Sequence, residues 1–247
     1  VFELDLVSVP VDSLFVRPFV TTIGGDTVYG NQIAIANEDP NRNHIYNFST
    51  ESGDFSPENY TITTTSEITF QNIISLRNLN WEYGSPNYSN IVIVNFPSLD
   101  RIEDNFILRY EYSLREFNAP KLRDVSILLR VEYNNIEKFL LPNLRYGGRS
   151  SGAISNNENL NELDLSSLEG NNYGCCGEFK IDNNDSLIEI NLDSFYKHRR
   201  GDKGDHYEFR IYENLNLKRI HFGADLDFEA FIRIYGNENL EEINFTK

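Results

Sequence analysis

The stretch Asn159-Leu-Asn-Glu-Leu-Asp-Leu-Ser-Ser-Leu168 carries the spacing from which we predict the fold. Counted from Leu160 as an anchor, apolar residues follow three, five and eight positions later. The same spacing returns at intervals of 22 to 30 residues, with the last member shifted or missing in the final two cases, at the anchors Ile91, Leu114, Ile136, Leu187, Leu217 and Leu240. A period of this length indicates a repeat architecture.

Each repeat is predicted to contain two short strands. Residues two apart in a strand point to the same side, so the apolar residues three and five positions after the anchor face one side together. A second apolar pair precedes the anchor, as Phe179 and Ile181 precede Leu187. One such unit cannot bury its apolar side alone, but stacked units bury a continuous column. The pattern predicts an all-β solenoid.

A row of asparagines lies three residues before four of the anchors, at Asn157, Asn184, Asn214 and Asn237. Asparagine tolerates left-handed backbone, and its amide bonds neighbouring backbone groups. We interpret this row as a structural ladder in the turn between the two strands.

Residues 1–65 lack the repeat. Short alternating segments, such as residues 32–36, and several turn signals indicate a β-rich region that either caps the first rung or forms a small separate domain. The polar tract of residues 38–65 is interpreted as a long surface loop or linker. The predicted organisation is therefore an N-terminal unit of residues 1–65 and a solenoid of residues 66–247.

Composition excludes several classes of function. The net charge of -16 and the pI near 4.6 oppose binding to nucleic acid or to an anionic membrane surface. No run of about 18 apolar residues exists, which argues against direct membrane insertion. The sequence starts at Val1 and contains no Met, which indicates a removed signal peptide or a piece of a longer protein.

The two cysteines, Cys175 and Cys176, are adjacent and flanked by glycines. They form either a strained vicinal disulfide or two free thiols. No second pair of Cys or His lies at ligand spacing, so we expect no zinc site, no other metal and no cofactor.

The segments at residues 159–168 and 139–144 resemble the leucine-rich-repeat superfamily, and more closely its receptor L-domain and BspA-like surface-protein branches. The resemblance covers residues 67–247. It implies a secreted or surface-anchored protein that acts in adhesion or ligand recognition. The chain departs from the pattern in having leucine where the repeat asparagine is usual, and in lacking the cysteine-rich caps of growth-factor receptors.

The favoured binding surface lies in the C-terminal repeats and comprises Arg210, Tyr212, His221, Arg233 and Tyr235. Tyr and Arg dominate binding energy at interfaces because they combine apolar area with directional polar groups. The alternative is a solvated face of the solenoid that binds nothing.

A catalytic alternative rests on Glu162 and Glu189, which should lie on neighbouring rungs about 5 Å apart, with Asp164 nearby. That separation suits the carboxylate pair of a retaining glycosidase. An acidic protein also places some glutamates side by side without any chemistry. We expect no catalytic residues.

Two short motifs are weaker indications. Arg200, Gly201 and Asp202 form an adhesion tripeptide inside the longest insertion, or simply part of a charged loop. Of five Asn-x-Ser/Thr sequons, those at Asn47, Asn59 and Asn87 fall in polar segments and are the candidates for glycosylation.

The sequence therefore predicts a non-enzymatic, extracellular or cell-surface recognition module whose partner is a protein or a glycan. The alternatives are a structural subunit that self-associates through the solenoid ends into a fibre or surface layer, and a carbohydrate-active enzyme.

Overall fold

A computed structural model of the chain describes the backbone of residues 13–16, 19–21, 27–29, 33–36 and 43–47, and then residues 53–55, 67–82, 91–148, 151–169, 178–195, 208–223 and 231–245. These residues contain 25 strands and no helix. Three parallel sheets run along the repeats, which confirms the predicted all-β solenoid. We call these sheets the first, second and third walls.

The first wall has nine strands, most of which begin two residues after an anchor. In chain order they are β5 (Asn43–Asn47), β7 (Glu67–Gln71), β10 (Ile93–Asn95), β13 (Glu116–Asn118), β16 (Lys138–Leu140), β19 (Glu162–Asp164), β21 (Glu189–Leu192), β23 (Arg219–Phe222) and β25 (Glu242–Phe245).

The second wall has eight strands, which contain the apolar pairs that precede the anchors. In chain order they are β6 (Asp54–Phe55), β9 (Asn78–Glu82), β12 (Asn105–Arg109), β15 (Leu128–Glu132), β18 (Ser151–Ser155), β20 (Glu178–Asp182), β22 (Glu208–Tyr212) and β24 (Phe231–Tyr235).

The third wall was not predicted. It has four strands of two residues each, namely β8 (Ser75–Leu76), β11 (Arg101–Ile102), β14 (Asp124–Val125) and β17 (Tyr146–Gly147). Turns in this part of the solenoid therefore contain three strands and not two. A strand with one inward residue has no alternation to detect, so the sequence pattern could not reveal it.

Apolar residues lie one above another from turn to turn, as the repeat predicted. Phe117 pairs in register with Phe139, and Phe139 with Leu163. The ring centroids of Phe117 and Phe139 are 5.8 Å apart, about 1 Å more than the spacing of paired strands, and the rings are tilted by 42°. Further along, Ile190, Ile220 and Ile243 follow the same register. The column between the walls is a single apolar core.

The asparagine row is a hydrogen-bonded ladder. In Asn157 the backbone N–H and Nδ2 both donate to Oδ1 of Asn184, each at 3.1 Å, and Nδ2 also donates to the carbonyl of Val131 at 3.0 Å. Asn134 joins the ladder one turn earlier than predicted, because its repeat is one residue shorter. The members of this asparagine ladder are Asn134, Asn157, Asn184, Asn214 and Asn237.

The residue before each ladder position turns the chain out of the second wall. These residues have positive φ angles between 52° and 66°, and they are Tyr110, Tyr133, Asn156, Asn183, Glu213 and Gly236. Gly and Asn adopt this conformation readily, whereas Tyr or Glu costs about 1–2 kcal/mol there. The ladder bonds on the next residue hold the turn in place.

Glu111 occupies the ladder position one turn before Asn134. Its backbone N–H donates to Asn134 Oδ1 at 2.9 Å, as a ladder asparagine does. The carboxyl group is buried, and Oε1 has no hydrogen-bond partner among the described residues. This burial raises the pKa of Glu111 to about 7. When protonated, the carboxyl offers the donor that the asparagine amide supplies elsewhere; when ionised, it has none.

The N-terminal region partly joins the solenoid. β5 pairs in parallel with β7, and β6 pairs with β9. The interpretation of residues 38–65 as a loop was therefore wrong at these two strands, because backbone pairing with a neighbouring rung needs no apolar alternation. Earlier in the chain, β1 (Ser13–Val16) pairs antiparallel with β4 (Ile33–Ala36), and β2 (Phe19–Thr21) with β3 (Thr27–Tyr29). The division at residue 65 stays a prediction.

Removing one ladder amide should be costly. In Asn184→Ala the backbone N–H of Asn157 and the carbonyl of Ile154 lose their partners. We expect the free energy of unfolding to fall by about 2–3 kcal/mol, since buried backbone groups are left unsatisfied. Urea denaturation measures this. Asn161→Ala, at an exposed asparagine, is the control and should change stability by less than about 0.5 kcal/mol. Equal effects of the two substitutions would contradict the ladder's role.

The stability of the protein should depend on pH through Glu111. Its pKa in the folded chain is above the unfolded value of 4.5, so the neutral form is favoured by folding. This contribution is complete below pH 4.5 and is lost as pH rises towards 7. We expect a loss of up to about 3 kcal/mol in the free energy of unfolding over that interval. Glu111→Gln keeps a donor and should flatten the profile. Parallel profiles for the two proteins would contradict this assignment.

Candidate functional site

The predicted binding residues on the second wall lie in two outward rows. Lys180, Arg210 and Arg233 form one row across β20, β22 and β24. Tyr212 and Tyr235 form the other, together with Asp182, whose side chain is covered. The residues of β22 that alternate with them, Phe209 and Ile211, are buried in the core. Alternation along the strands therefore places the arginines and tyrosines on the outside of the wall.

Tyr212 and Tyr235 form a stacked pair. Their ring centroids are 4.9 Å apart and the ring planes are inclined by 8°. The asparagine ladder holds both residues, since Asn214 and Asn237 donate to the carbonyls of Tyr212 and Tyr235 at 3.0 and 3.2 Å. Tyr235 remains 47% exposed. An amphipathic aromatic surface is thus presented on a rigid backbone.

The arginine row is fixed by glutamates on its own wall. Arg210 binds Glu178 at 3.0 Å and Glu208 at 2.5 Å, and Arg233 also pairs with Glu208. The hydrogen bond from Arg210 lowers the pKa of Glu208 and raises that of Arg210. These side chains stay charged, and the guanidinium of Arg233 is largely exposed beside the tyrosine pair.

Tyr212 is kept in its protonated form. Burial raises its pKa above the ordinary value, and the negative charge of Asp182 acts in the same direction. Asp182 is buried, accepts a hydrogen bond from Ser155, and lies 3.5 Å from the Lys180 ammonium. The phenol of Tyr212 therefore remains a hydrogen-bond donor.

His221 is not part of this cluster. It lies on β23 of the first wall, where its ring contacts Glu189 and Asn244, each at 3.4 Å. The other four predicted residues lie on the second wall. The spacing rule placed His221 correctly on an outward row, but it carried no information about which rows share a wall.

The carboxylates of the catalytic alternative are both engaged by cations. Glu162 lies 3.7 Å from Lys138, and Glu189 lies 2.7 Å from Arg219. Both glutamates are exposed on the first wall, which the register predicted. Among the residues that the structure describes, no group of three His, Cys, Asp or Glu side chains is arranged to hold a metal ion.

Several predicted sites lie outside the described residues: Cys175, Cys176, Arg200, Gly201, Asp202, Asn59 and Asn87. Asn47 is the last residue of β5, which is described by its backbone alone. The sequon at Asn184 coincides with the ladder, and its amide is buried and bonded to Asn214 and Ile154.

A second stacked tyrosine pair was missed. The rings of Tyr110 and Tyr133 are 5.2 Å apart, inclined by 8°, at the positive-φ positions of two consecutive turns. The guanidinium of Arg109 lies 5.1 Å from the centre of the Tyr110 ring. The sequence did contain a signal for this pair, because Tyr110 and Tyr133 each directly precede a ladder position, as Asn156 and Asn183 do.

Comparisons of the chain with models of known protein families, with curated proteins and with solved structures found no match. The solenoid therefore rests on its own strand pairing, and the leucine-rich-repeat resemblance stays a prediction. None of the described segments forms a helix with the length and apolar character needed to cross a membrane.

Proposed function

We propose that this protein is a non-enzymatic recognition module that binds a protein or glycan partner through the outward rows of the second wall. The observation that carries the proposal is the stacked pair of Tyr212 and Tyr235 beside Arg210 and Arg233. Large aromatic and guanidinium groups on a rigid surface are the residue types that most often dominate binding energy.

Preorganisation favours this surface. The tyrosine backbones are held by the ladder, and Arg210 is held by two glutamates. Binding a partner therefore requires little further ordering of these side chains, and ordering is a principal cost of association. The exposed part of Tyr235 and the guanidinium of Arg233 remain available for new contacts.

The proposal includes two further statements: the protein catalyses no reaction, and it is extracellular or exposed on the cell surface. Ion pairs on Glu162 and Glu189 give each carboxylate a structural partner, which favours binding over catalysis. Extracellular or cell-surface location rests on the leucine-rich-repeat resemblance. Glycan hydrolysis that disappears in Glu162→Gln would instead support the carbohydrate-active enzyme.

The double substitution Tyr212→Ala, Tyr235→Ala tests the surface. Wild-type and variant proteins are applied to a printed glycan array and to a panel of extracellular protein domains, and each hit is titrated. We expect affinity for the hit to fall at least about thirtyfold, or about 2 kcal/mol, because hot-spot aromatics are removed. Circular dichroism checks that the variant is folded.

The matched control is Tyr110→Asn, Tyr133→Asn, which removes the other stacked pair. Asn occupies the same positive-φ row in the next two turns, so this change introduces no backbone strain. It should leave affinity unchanged. Full affinity in the Tyr212→Ala, Tyr235→Ala variant would rule out this surface.

One observation favours the fibre alternative. In the turn of β22 and β23, Ile220 is 0% and Phe222 1% exposed, whereas their counterparts in the last described turn, Ile243 and Phe245, are 39% and 57% exposed. Among the described strands, β24 and β25 are paired on one side only. Such an end accepts another rung, whether the rung comes from a longer chain or from a second copy of this one.

Self-association through this end should be visible in solution. A fibre subunit should give species larger than a monomer whose proportion rises with concentration, measured by size-exclusion chromatography with light scattering and by electron microscopy. Phe245→Glu should return it to monomers, since a charge would be buried at the contact. The control Ile127→Glu changes an exposed apolar residue between β14 and β15, several turns from the end. Discrete wild-type monomers would remove the fibre alternative.

A further inference from the structure

A small cavity opens on the third wall, away from the tyrosine surface. Its volume is about 230 Å³, and it is lined by Asp100, Arg101, Arg123, Asp124, Arg145 and Tyr146. The five charged residues in this lining sum to +1, in a chain whose net charge is -16. The lining therefore carries one positive charge in excess, while Glu169, which pairs with Arg145, lies outside it.

Backbone pairing sets the order of charges along the cavity. Arg123 N–H donates to the carbonyl of Asp100, Arg145 N–H to that of Arg123, and Glu169 N–H to that of Arg145, at 2.8 to 3.0 Å. The outward row therefore reads acid, arginine, arginine, acid. The two arginines are direct neighbours, and both acids lie at the ends.

The end acids hold the guanidinium groups from outside the pair. Arg123 donates from Nε and Nη2 to the two carboxylate oxygens of Asp100, at 2.5 and 2.8 Å. Arg145 pairs with Glu169, which also accepts a hydrogen bond from the Tyr146 hydroxyl at 3.2 Å. The hydrogen bond to Asp100 raises the pKa of Arg123, while the charge of Arg145 acts against it, so the two cations repel each other.

Unused donors remain in the cavity. A guanidinium has five N–H donors in a planar fork, and Asp100 takes two of those of Arg123. The backbone N–H of Arg101 donates to the carbonyl of Ile74, but its guanidinium forms no hydrogen bond or ion pair with any described residue. The charge of Arg101 also contributes to lowering the pKa of Asp100, after the larger effect of Arg123. Asp124 is the other carboxylate in the lining besides Asp100. Its negative charge repels a bound anion, and this limits how much negative charge a ligand in the cavity can carry.

We propose that this cavity binds the anionic group of an acidic sugar, with Arg123 and Arg145 as the charge-recognising pair, Arg101 as a third cation and Tyr146 against the sugar ring. Carboxylate and sulfate groups both match the guanidinium fork. The ring of Tyr146 already lies 5.6 Å from the Arg145 guanidinium, so its apolar body is beside the charged donors. A volume of about 230 Å³ is below the range for drug-sized ligands and suits a single sugar ring.

An anion bound between Arg123 and Arg145 would reduce the electrostatic repulsion between the two guanidinium groups, and this reduction favours binding. The site is independent of the Tyr212 and Tyr235 surface, which lies on another wall. Binding through it should weaken with added salt, because exposed charges are screened over about 10 Å at 0.1 M ionic strength.

Calorimetric titration at low ionic strength tests the proposal. The probes are glucuronate, glucose 6-sulfate, glucose and inorganic sulfate. We expect both charged sugars to bind, and glucose to bind at least tenfold more weakly. Arg123→Gln and Arg145→Gln should each lower affinity for the charged sugars at least tenfold, and Arg219→Gln should not. Arg219 is the matched control, an exposed and ion-paired arginine on the first wall.

The outcomes are separable. Inorganic sulfate that binds as tightly as the charged sugars would overturn the sugar part of the proposal, because the site would then read charge alone. Failure of both charged sugars to bind, or equal affinity of Arg145→Gln and wild type, would overturn the site itself. Circular dichroism and thermal unfolding establish that each variant retains the wild-type fold.

Discussion

Parallel pairing of each strand with its counterpart in the next turn is the constraint on which the rest of this structure depends. It places every residue almost directly over the equivalent residue of its neighbours, about 4.8 Å away. A row of buried residues must then consist of apolar side chains, or of side chains that hydrogen-bond to identical side chains in the neighbouring rungs. Phe117 and Phe139 satisfy the first condition, and the asparagine ladder satisfies the second because an amide both donates and accepts. Glu111, at the head of that ladder, satisfies it only when protonated.

The same constraint controls charge on the outside. Identical charges in adjacent rungs repel each other, and alternation of charge avoids this repulsion in part of the first wall. Lys138, for example, lies between Glu116 and Glu162 on the first wall, at 3.8 and 3.7 Å. Such exposed pairs add little to stability, but they remove a repulsion that stacking would otherwise impose.

Other rows place like charges in adjacent rungs, as Glu178 and Glu208 do, and two of these rows contain neighbouring arginines. On the second wall Arg210 and Arg233 are neighbours, and on the third wall Arg123 and Arg145 are neighbours. In both cases the compensating carboxylates lie beside or beyond the arginines, and a tyrosine lies next to the cations. Both proposals rest on these two places, because neighbouring cations beside an aromatic ring attract an anionic or polar group of a ligand. In a row that alternates, each charged side chain already pairs with an opposite charge in the next rung.

The sequence by itself determined the repeat, the inward residues, the outward rows and the asparagine ladder, because all of these follow from spacing along one chain. It did not reveal the third wall or the strands β5 and β6, since short strands with few inward residues leave no periodic signal. Only the tertiary structure decided which rows share a wall. That information separated His221 from Tyr212, brought Arg123 beside Arg145, and showed that Glu111 takes an asparagine's place, because neighbours across rungs are set by register and not by distance along the sequence.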